Sequence, residues 1–434
     1  MNKGSGDGNL FRLFVERNLG LLCPGGNLSY VLPSALMFEE GSMGLRRHIF
    51  TNCRMAFFHS FENRKPIFPD VDSRYKFASI QVVNVAPSAN DAPIDTAFYL
   101  LEPADLQKQE VHVPYPLATV KAMSTQQWAL MELRDAEDLP VLQKCYSAFP
   151  ALAAEWLDFR RELHMTDDKD LFIETEAPGL LPLYEGKMIW QYSHAFEKPQ
   201  YWLDRAAFDE RMHSKELHRM AQDLDVPKTE VSKHEAHIRY DRSFLRLAFR
   251  TIASDTNERT LIFSLLPKNV GLGNSVYANA AKTYNSGADG TITARPVSGI
   301  RLLLALAWFN SVPGDWLARQ MIQINVSLTY LYRLPVPQPS DADILSNADY
   351  TQLAKNALLL TLASSWDDFA ELAPLFNVTQ KDVPSTAKAQ DLLRAQNDKT
   401  VARLYGITEV EFAHLLRSFK GMATKRPEYL ALLQ

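Results

Sequence analysis

The sequence has no apolar run approaching the roughly 20 residues that a helical membrane span requires, so no membrane association of that kind is expected. Its first residues, Met1-Asn2-Lys3-Gly4-Ser5-Gly6, lack the apolar segment of a secretory signal, and export is not expected either. Cysteine is scarce. Cys23, Cys53 and Cys145 lie too far apart for a disulfide framework or a zinc knuckle, which predicts a reducing, cytoplasmic setting. An excess of basic charge is missing as well: 46 Lys and Arg stand against 51 Asp and Glu, for a net charge of −5. Nucleic-acid binders tend to be basic overall. Any contact with phosphates must therefore come from a local cluster, because screening confines charge effects to about 8–10 Å at physiological salt.

What is present is ordinary for a globular protein: 434 residues, 46% hydrophobic and 22% charged. That length can hold two to four domains and bury a substantial core. Phe11, Phe14, Val15, Leu19 and Leu22 recur at helical spacing and predict a helix over 9–22. Cys23-Pro24-Gly25-Gly26 stops it, since proline cannot continue a helix and glycine supplies turn geometry. Leu28–Leu32 reads as a strand ended by Pro33, followed by a helix near 44–51 and strands at Met55–Ser60 and Phe77–Val85. Alternation of this kind predicts a parallel α/β sheet. Yet only about three strands fit before residue 100, which predicts half a sheet with one bare edge. Residues 116–175 read as mostly helical, with Trp128, Leu130, Leu133, Leu142, Trp156 and Phe159 as core positions. Short strands, turns and two or three helices follow to about 335. Pro335-Val336-Pro337-Gln338-Pro339 reads as a stiff extended break, and helices are expected near 349–364, 387–404 and 409–419.

The segment Asn9–Pro33, with its helix, Cys-Pro-Gly-Gly turn and Leu-Ser-Tyr-Val-Leu-Pro strand, resembles the helix and strand that follow the catalytic loop of adenine-N6 DNA methyltransferases. Later segments keep the same order. His164–Phe172 and Leu183–Tyr192 resemble the entry to the specificity region of large restriction–modification methyltransferases. Leu247–Arg250, with Ala253 and Thr256–Thr260, resembles its middle. Trp308–Ser311, Ala318–Gln320 and Leu334–Pro337 resemble its end, and Ala402–Thr408 the helical tail. The type IIG fused enzymes and the large phage-defence methyltransferases are the nearest comparisons. The resemblance implies an α/β chain in four parts: the C-terminal half of a Rossmann-like methyltransferase sheet over 1–115, a helical connector over 116–175, a target-recognition domain over 176–335 and a helical tail over 336–434.

The chemistry that the family performs needs an Asn/Asp-Pro-Pro-aromatic loop. Its polar groups accept the hydrogens of the adenine amine and its ring stacks on the extruded base. The sequence contains no Pro-Pro pair, so that loop is absent. Gly4-Ser5-Gly6-Asp7-Gly8 has no room for a strand before it and lacks the strand–turn–helix context of a cofactor loop; a flexible loop is expected there, and a turn at Gly271-Leu272-Gly273. No catalytic, cofactor-binding or metal residues are therefore expected on this chain. S-adenosylmethionine is implied only for the completed enzyme. The partners expected are double-stranded DNA and a protein or missing N-terminal half carrying the loop, against which Met1–Val85 docks.

For DNA contact the candidates fall in three groups. Arg239, Arg242, Arg246, Arg250 and Arg259 stand near Asp241, Asp255 and Glu258. The first four share a face if the segment is helical, and only partly if it is a strand. Arginine suits bidentate contact with phosphate or guanine, but the same residues can pair internally with Asp241 and Glu258. Lys187, Trp190, Gln191, Tyr192 and His194 gather a cation, an amide and aromatics, or else form a hairpin with one apolar face. Arg319, Gln320, Asn325, Tyr330 and Arg333 form the third group. His234 and His237 lack a third metal ligand at convincing spacing. The expected function is thus the DNA-holding portion of a restriction–modification or phage-defence methyltransferase, with a stand-alone, non-enzymatic DNA-binding defence subunit as the other reading.

Overall fold

Asn9 opens the first helix, α1 (Leu10–Leu21), by accepting the Phe11 amide on its side chain. The helix ends where expected. Gly25 takes a positive φ of 77°, and Asn84 donates to the carbonyls of Leu22 and Cys23, tying the helix end to the sheet. In this computed structural model residues 9–73, 75–253, 257–322 and 325–434 are described. The glycine-rich segment Gly4–Gly8, with Asp255 and Thr256, lies outside them. Among the described residues no helix is long and apolar enough to cross a membrane. The chain divides into two compact units, Met1–Phe149 and Pro150–Gln434.

The first unit is built on five strands: β1 (Asn27–Pro33), β2 (Arg54–Glu62), β3 (Lys76–Val83), β4 (Ile94–Leu100) and β5 (His112–Tyr115). Their spatial order is β1-β3-β2-β4-β5. The sheet is mixed, which corrects the expectation of a parallel one. β3 runs antiparallel to both β1 and β2, β2 and β4 are parallel, and β5 is antiparallel to β4. Alternating apolar residues mark a strand but carry no information on its direction. β1, β2 and β4 nonetheless share one direction, with α2 (Met43–Asn52) crossing from β1 to β2. β1 is an edge, and Val31 on it is 58% exposed. On α1, Val15 and Leu19 are buried while Leu10, Leu13, Phe14 and Leu21 face outward.

Two helices, α3 (Leu117–Met123) and α4 (Asp138–Ala148), follow. The expectation of a mostly helical 116–175 fails beyond Ala148. There the chain is irregular, and Leu152, Trp156 and Phe159 are buried from turn and extended backbone. Trp156 donates its indole N–H to the Pro339 carbonyl, and Gln338 accepts the Ala153 amide. The proline-rich segment is extended, as expected, and packs alongside residues 151–156 of its own unit.

The second unit holds a four-stranded sheet in the order β10-β9-β12-β6, a three-stranded sheet in the order β11-β7-β8, and a hairpin of β13 and β14. The ranges are β6 (Phe159–Arg160), β7 (Leu181–Tyr184), β8 (Tyr201–Leu203), β9 (Arg246–Arg250), β10 (Phe263–Leu266), β11 (Gly271–Leu272), β12 (Val276–Asn279), β13 (Lys282–Ser286) and β14 (Ile292–Pro296). Gly271-Leu272, expected as a turn, is the strand β11, parallel to β7. A Cβ on Gly271 would collide with the Leu203 side chain of β8, so the glycine leaves room for that side chain. Phe159, Phe249, Phe263 and Phe309 pack ring against ring at the centre, with Phe263 stacked on Phe309 at 4.5 Å. The longer helices of the unit are α5 (Arg205–Leu224), α6 (Gly299–Phe309), α7 (Val312–Arg319), α8 (Ala348–Ser364), α9 (Ala387–Leu404) and α10 (Glu409–Arg417), the last three close to the expected spans.

Candidate functional site

The stripe that α5 buries explains the electrostatics of the second unit. Phe208, Met212, Glu216, Arg219 and Met220 recur at helical spacing, so two charges enter the interior with the apolar residues. They are compensated there. Arg219 donates to Asp241 at 2.5 Å and to the Lys282 carbonyl at 2.8 Å. Lys282 donates to Glu216 at 2.9 Å and to Asp241 at 2.8 Å, and Tyr284 adds its hydroxyl to Glu216. Burial alone would raise the Asp241 carboxyl, but Arg219 and Lys282 outweigh it and hold it well below the ordinary carboxylate range. Burial and the neighbouring Asp241 charge push Glu216 the other way, upward.

Above this network lies a cleft of about 500 Å³ whose wall includes Arg160, Arg219, Lys282, Arg295 and Arg301. Asp158, Asp223 and Asp341 also line it, and they occupy part of the cationic charge: Arg160 pairs with Asp158 and Arg301 with Asp341. Arg295, on β14, is exposed. The sequence reading missed this group, because its members come from five segments between residues 154 and 341 and no local pattern links them.

The structure places the sequence candidates as follows. The possibility that Arg239, Arg242, Arg246 and Arg250 share a helical face is overturned, since Asp241–Ser243 is one short turn and β9 is a strand. Arg246 is 1% exposed, paired with Glu162 and donating to the Val270 carbonyl. Arg242 grips Asp209 with two nitrogens. Arg259 and Arg319 flank the fully buried Asp315, and Arg319 lies over the Phe419 ring at 4.1 Å. Asp315 also accepts the amides of Thr260 and Leu261. Gln191 is buried and spans the carbonyls of Leu261 and Asn310; Tyr192 is buried with a φ of 66°. His194 is buried between Tyr184 and Asp368. Arg333 is buried, with Nε and Nη2 lacking a hydrogen-bond partner.

Fewer candidates reach the surface. Arg239 is exposed, its guanidinium turned to the Ala236 and Ile238 carbonyls. Arg250 and Tyr330 are half-buried. Lys187 is half-buried beside Glu185 at 3.5 Å. Trp190 stacks on Phe196 at 5.5 Å, and Phe196 is 56% exposed, which makes an aromatic platform.

Residues 1–68 match the family model described as Eco57I restriction-modification methylase. No curated protein matches the sequence. Among solved structures, the chain resembles the Type IIL restriction-modification enzyme MmeI in complex with DNA, at 13% identity and a TM-score of 0.45. That likeness covers 95% of this chain and 51% of the other. It also resembles the type IIG restriction endonuclease BpuSI, at 13% identity and a TM-score of 0.33, over 99% of this chain and 50% of that one. A nuclease-deletion mutant of the Type ISP enzyme LlaGI in complex with a DNA substrate mimic is similar at 11% identity and a TM-score of 0.31, over 81% and 37% respectively. The chain thus spans about half the length of the first two. With TM-scores below 0.5, kinship rests on the matched segment, which carries α1, β1, α2 and β2. Through that segment the chain is related to the restriction–modification methylases.

Proposed function

We propose that this chain is the DNA-holding portion of an S-adenosylmethionine-dependent adenine-N6 DNA methyltransferase from a restriction–modification or phage-defence system, with the catalytic loop on other sequence. The observation that carries this reading is the match of residues 1–68 to the methylase family, in a sequence with no Pro-Pro pair from which the base cradle is made. The first unit acts as the C-terminal half of a Rossmann-like sheet. Three co-directional strands, a helical crossover and the open edge at β1 support that role. The outward Leu10, Leu13, Phe14 and Val31 supply the apolar surface on which the missing strands close.

The second unit acts as the target-recognition body. Its DNA-facing groups are drawn from Lys187, Trp190, Arg239, Arg250, Tyr330 and Arg295, while the buried arginines hold the frame. Phosphate neutralisation by such a small set gives binding that is weak, with a modest salt dependence, because the slope scales with the number of phosphates neutralised. The test has two arms. A duplex titration of the full chain is expected to show binding that weakens with salt. Methylation of plasmid DNA is expected only when a polypeptide carrying an Asn-Pro-Pro-aromatic loop is added. Methyl transfer by the chain alone overturns the split assignment, and duplex binding without methylation in any combination favours the stand-alone binding subunit.

A further inference from the structure

Three side chains that the DNA-holding role does not use converge on one face of the β1–β5 sheet. His59 on β2 is paired with Ala97 on β4, and Ala97 with His112 on β5, so the two histidines flank an alanine in one row. Asp95 lies two residues before Ala97, on the same face of β4. The small side chain of Ala97 leaves the space over which both imidazoles lean toward Asp95. His59 Nε2 is 2.9 Å from Asp95 Oδ2, and His112 Nδ1 is 2.8 Å from Asp95 Oδ1. Ligand atoms of all three lie within 4.8 Å of one another.

The other nitrogen of His112 identifies what the cluster lacks. Nε2 is 3.0 Å from the Leu106 carbonyl oxygen, which only accepts, so Nε2 carries a hydrogen. Nδ1 of a neutral ring then points its lone pair at a carboxylate, two acceptors face to face. A cation between them removes the conflict. Giving the remote N–H to a backbone carbonyl is also how metal-bound histidines are oriented. Phe57 stacks on the His59 ring at 4.7 Å and 13°, fixing the direction of Nε2. Phe61, Ala97, Leu100, Leu106 and Val111 form an apolar wall on this side of the sheet, while Asp95 keeps 44% of its side chain exposed and leaves an approach from solvent.

We propose that His59 Nε2, Asp95 and His112 Nδ1 bind one first-row divalent transition-metal ion of the Zn2+ type, with the fourth position open to water. Two imidazoles and a carboxylate select such ions over Mg2+ and Ca2+, which prefer all-oxygen sites. Zinc bonds of about 2.0–2.1 Å in a tetrahedron separate ligand atoms by about 3.3 Å, so the three side chains close around the ion from their present contacts. The ion would join β2, β4 and the short edge strand β5.

The competing account is a doubly protonated His112 paired with Asp95, which satisfies the same contacts without metal. Chelator-treated full-length chain titrated with Co2+ separates the two. One equivalent is expected to bring up visible d–d bands of a four-coordinate N/O site, displaced by Zn2+. X-ray absorption at the zinc edge of the wild-type chain is expected to show imidazole scattering and no sulfur. His112→Asn and Ala97→Leu are each expected to weaken binding about tenfold or more with an unchanged far-UV spectrum. No stoichiometric binding, sulfur from Cys23 in the first shell, or undiminished affinity in His112→Asn overturns the proposal. If the variants do not fold, the wild-type absorption spectrum decides it.

Discussion

Glu162 and Arg246 meet in the interior of the second unit although 84 residues separate them in sequence. Glu162 completes its coordination with the Leu272 amide at 2.8 Å, and Arg246 with the Val270 carbonyl at 2.7 Å. Removing one partner strands a buried charge, at a cost of about 3–5 kcal/mol. Arg246→Ala is therefore expected to lower stability by that order in urea unfolding. A Glu162→Gln/Arg246→Met double variant is expected to recover much of the loss. If Arg246→Ala weakens DNA binding at full stability, the residue is a contact and not a strut.

That pair shows where sequence reading stops. The arginine cluster over 239–259 was visible, and so was the alternative that it pairs internally with Asp241 and Glu258. The partners found differ: Glu162 for Arg246, Asp209 for Arg242, and Asp315 for Arg259 and Arg319. Only the last lies one helical turn from its arginine, at Arg319. Helices and strands through residue 83 were legible because apolar periodicity is local. The direction of β3 and the irregular path of 149–160 were not, since both are set by what the chain packs against. The His59–Asp95–His112 cluster spans 53 residues across three strands and leaves no local trace.

The Asp241 network gives the second unit a defined acid response. Because the folded carboxyl of Asp241 lies below the ordinary value of about 3.9, its contribution is full above that value and is lost as pH falls toward the folded one. Glu216 works with the opposite sign. Its raised value means that ionisation costs the fold, and acidification relieves that cost first. Stability is expected to hold or rise slightly on first acidification and to fall below about pH 4. In Asp241→Asn the late fall should be blunted and baseline stability reduced; a parallel pH profile for the variant sinks the assignment.

Tyr405, within the helical-tail motif, accepts the Trp308 indole N–H at 2.7 Å and donates to the Pro335 carbonyl. Tyr405→Phe leaves both groups buried without that partner. A loss of about 1–3 kcal/mol is expected in chemical unfolding. An effect within a few tenths would show that water or a rearrangement replaces the hydroxyl.

Surface cations, unlike the buried ones, are expected to act on DNA through salt dependence. Each phosphate contact removed lowers the slope of log affinity against log salt by about 0.9. Arg239→Ala, Arg250→Ala and Arg295→Ala are expected to flatten that slope without changing the urea midpoint. A slope identical to wild type in the triple variant moves the DNA surface elsewhere.

The edge at β1 offers the most direct test of the split architecture. An open strand bearing Val31, flanked by the outward face of α1 with Phe14, is an aggregation hazard unless it is covered. Placing charge there costs the isolated chain little, because both side chains are already more than half exposed. Phe14→Glu and Val31→Lys are therefore expected to keep the melting temperature and to improve solubility. The same two changes are expected to prevent association with a polypeptide carrying the catalytic loop, read by co-elution in gel filtration, and to abolish methylation by the mixture. If the variants associate and complement as well as wild type, β1 is not the seam, and the polypeptide carrying the catalytic loop joins this chain elsewhere.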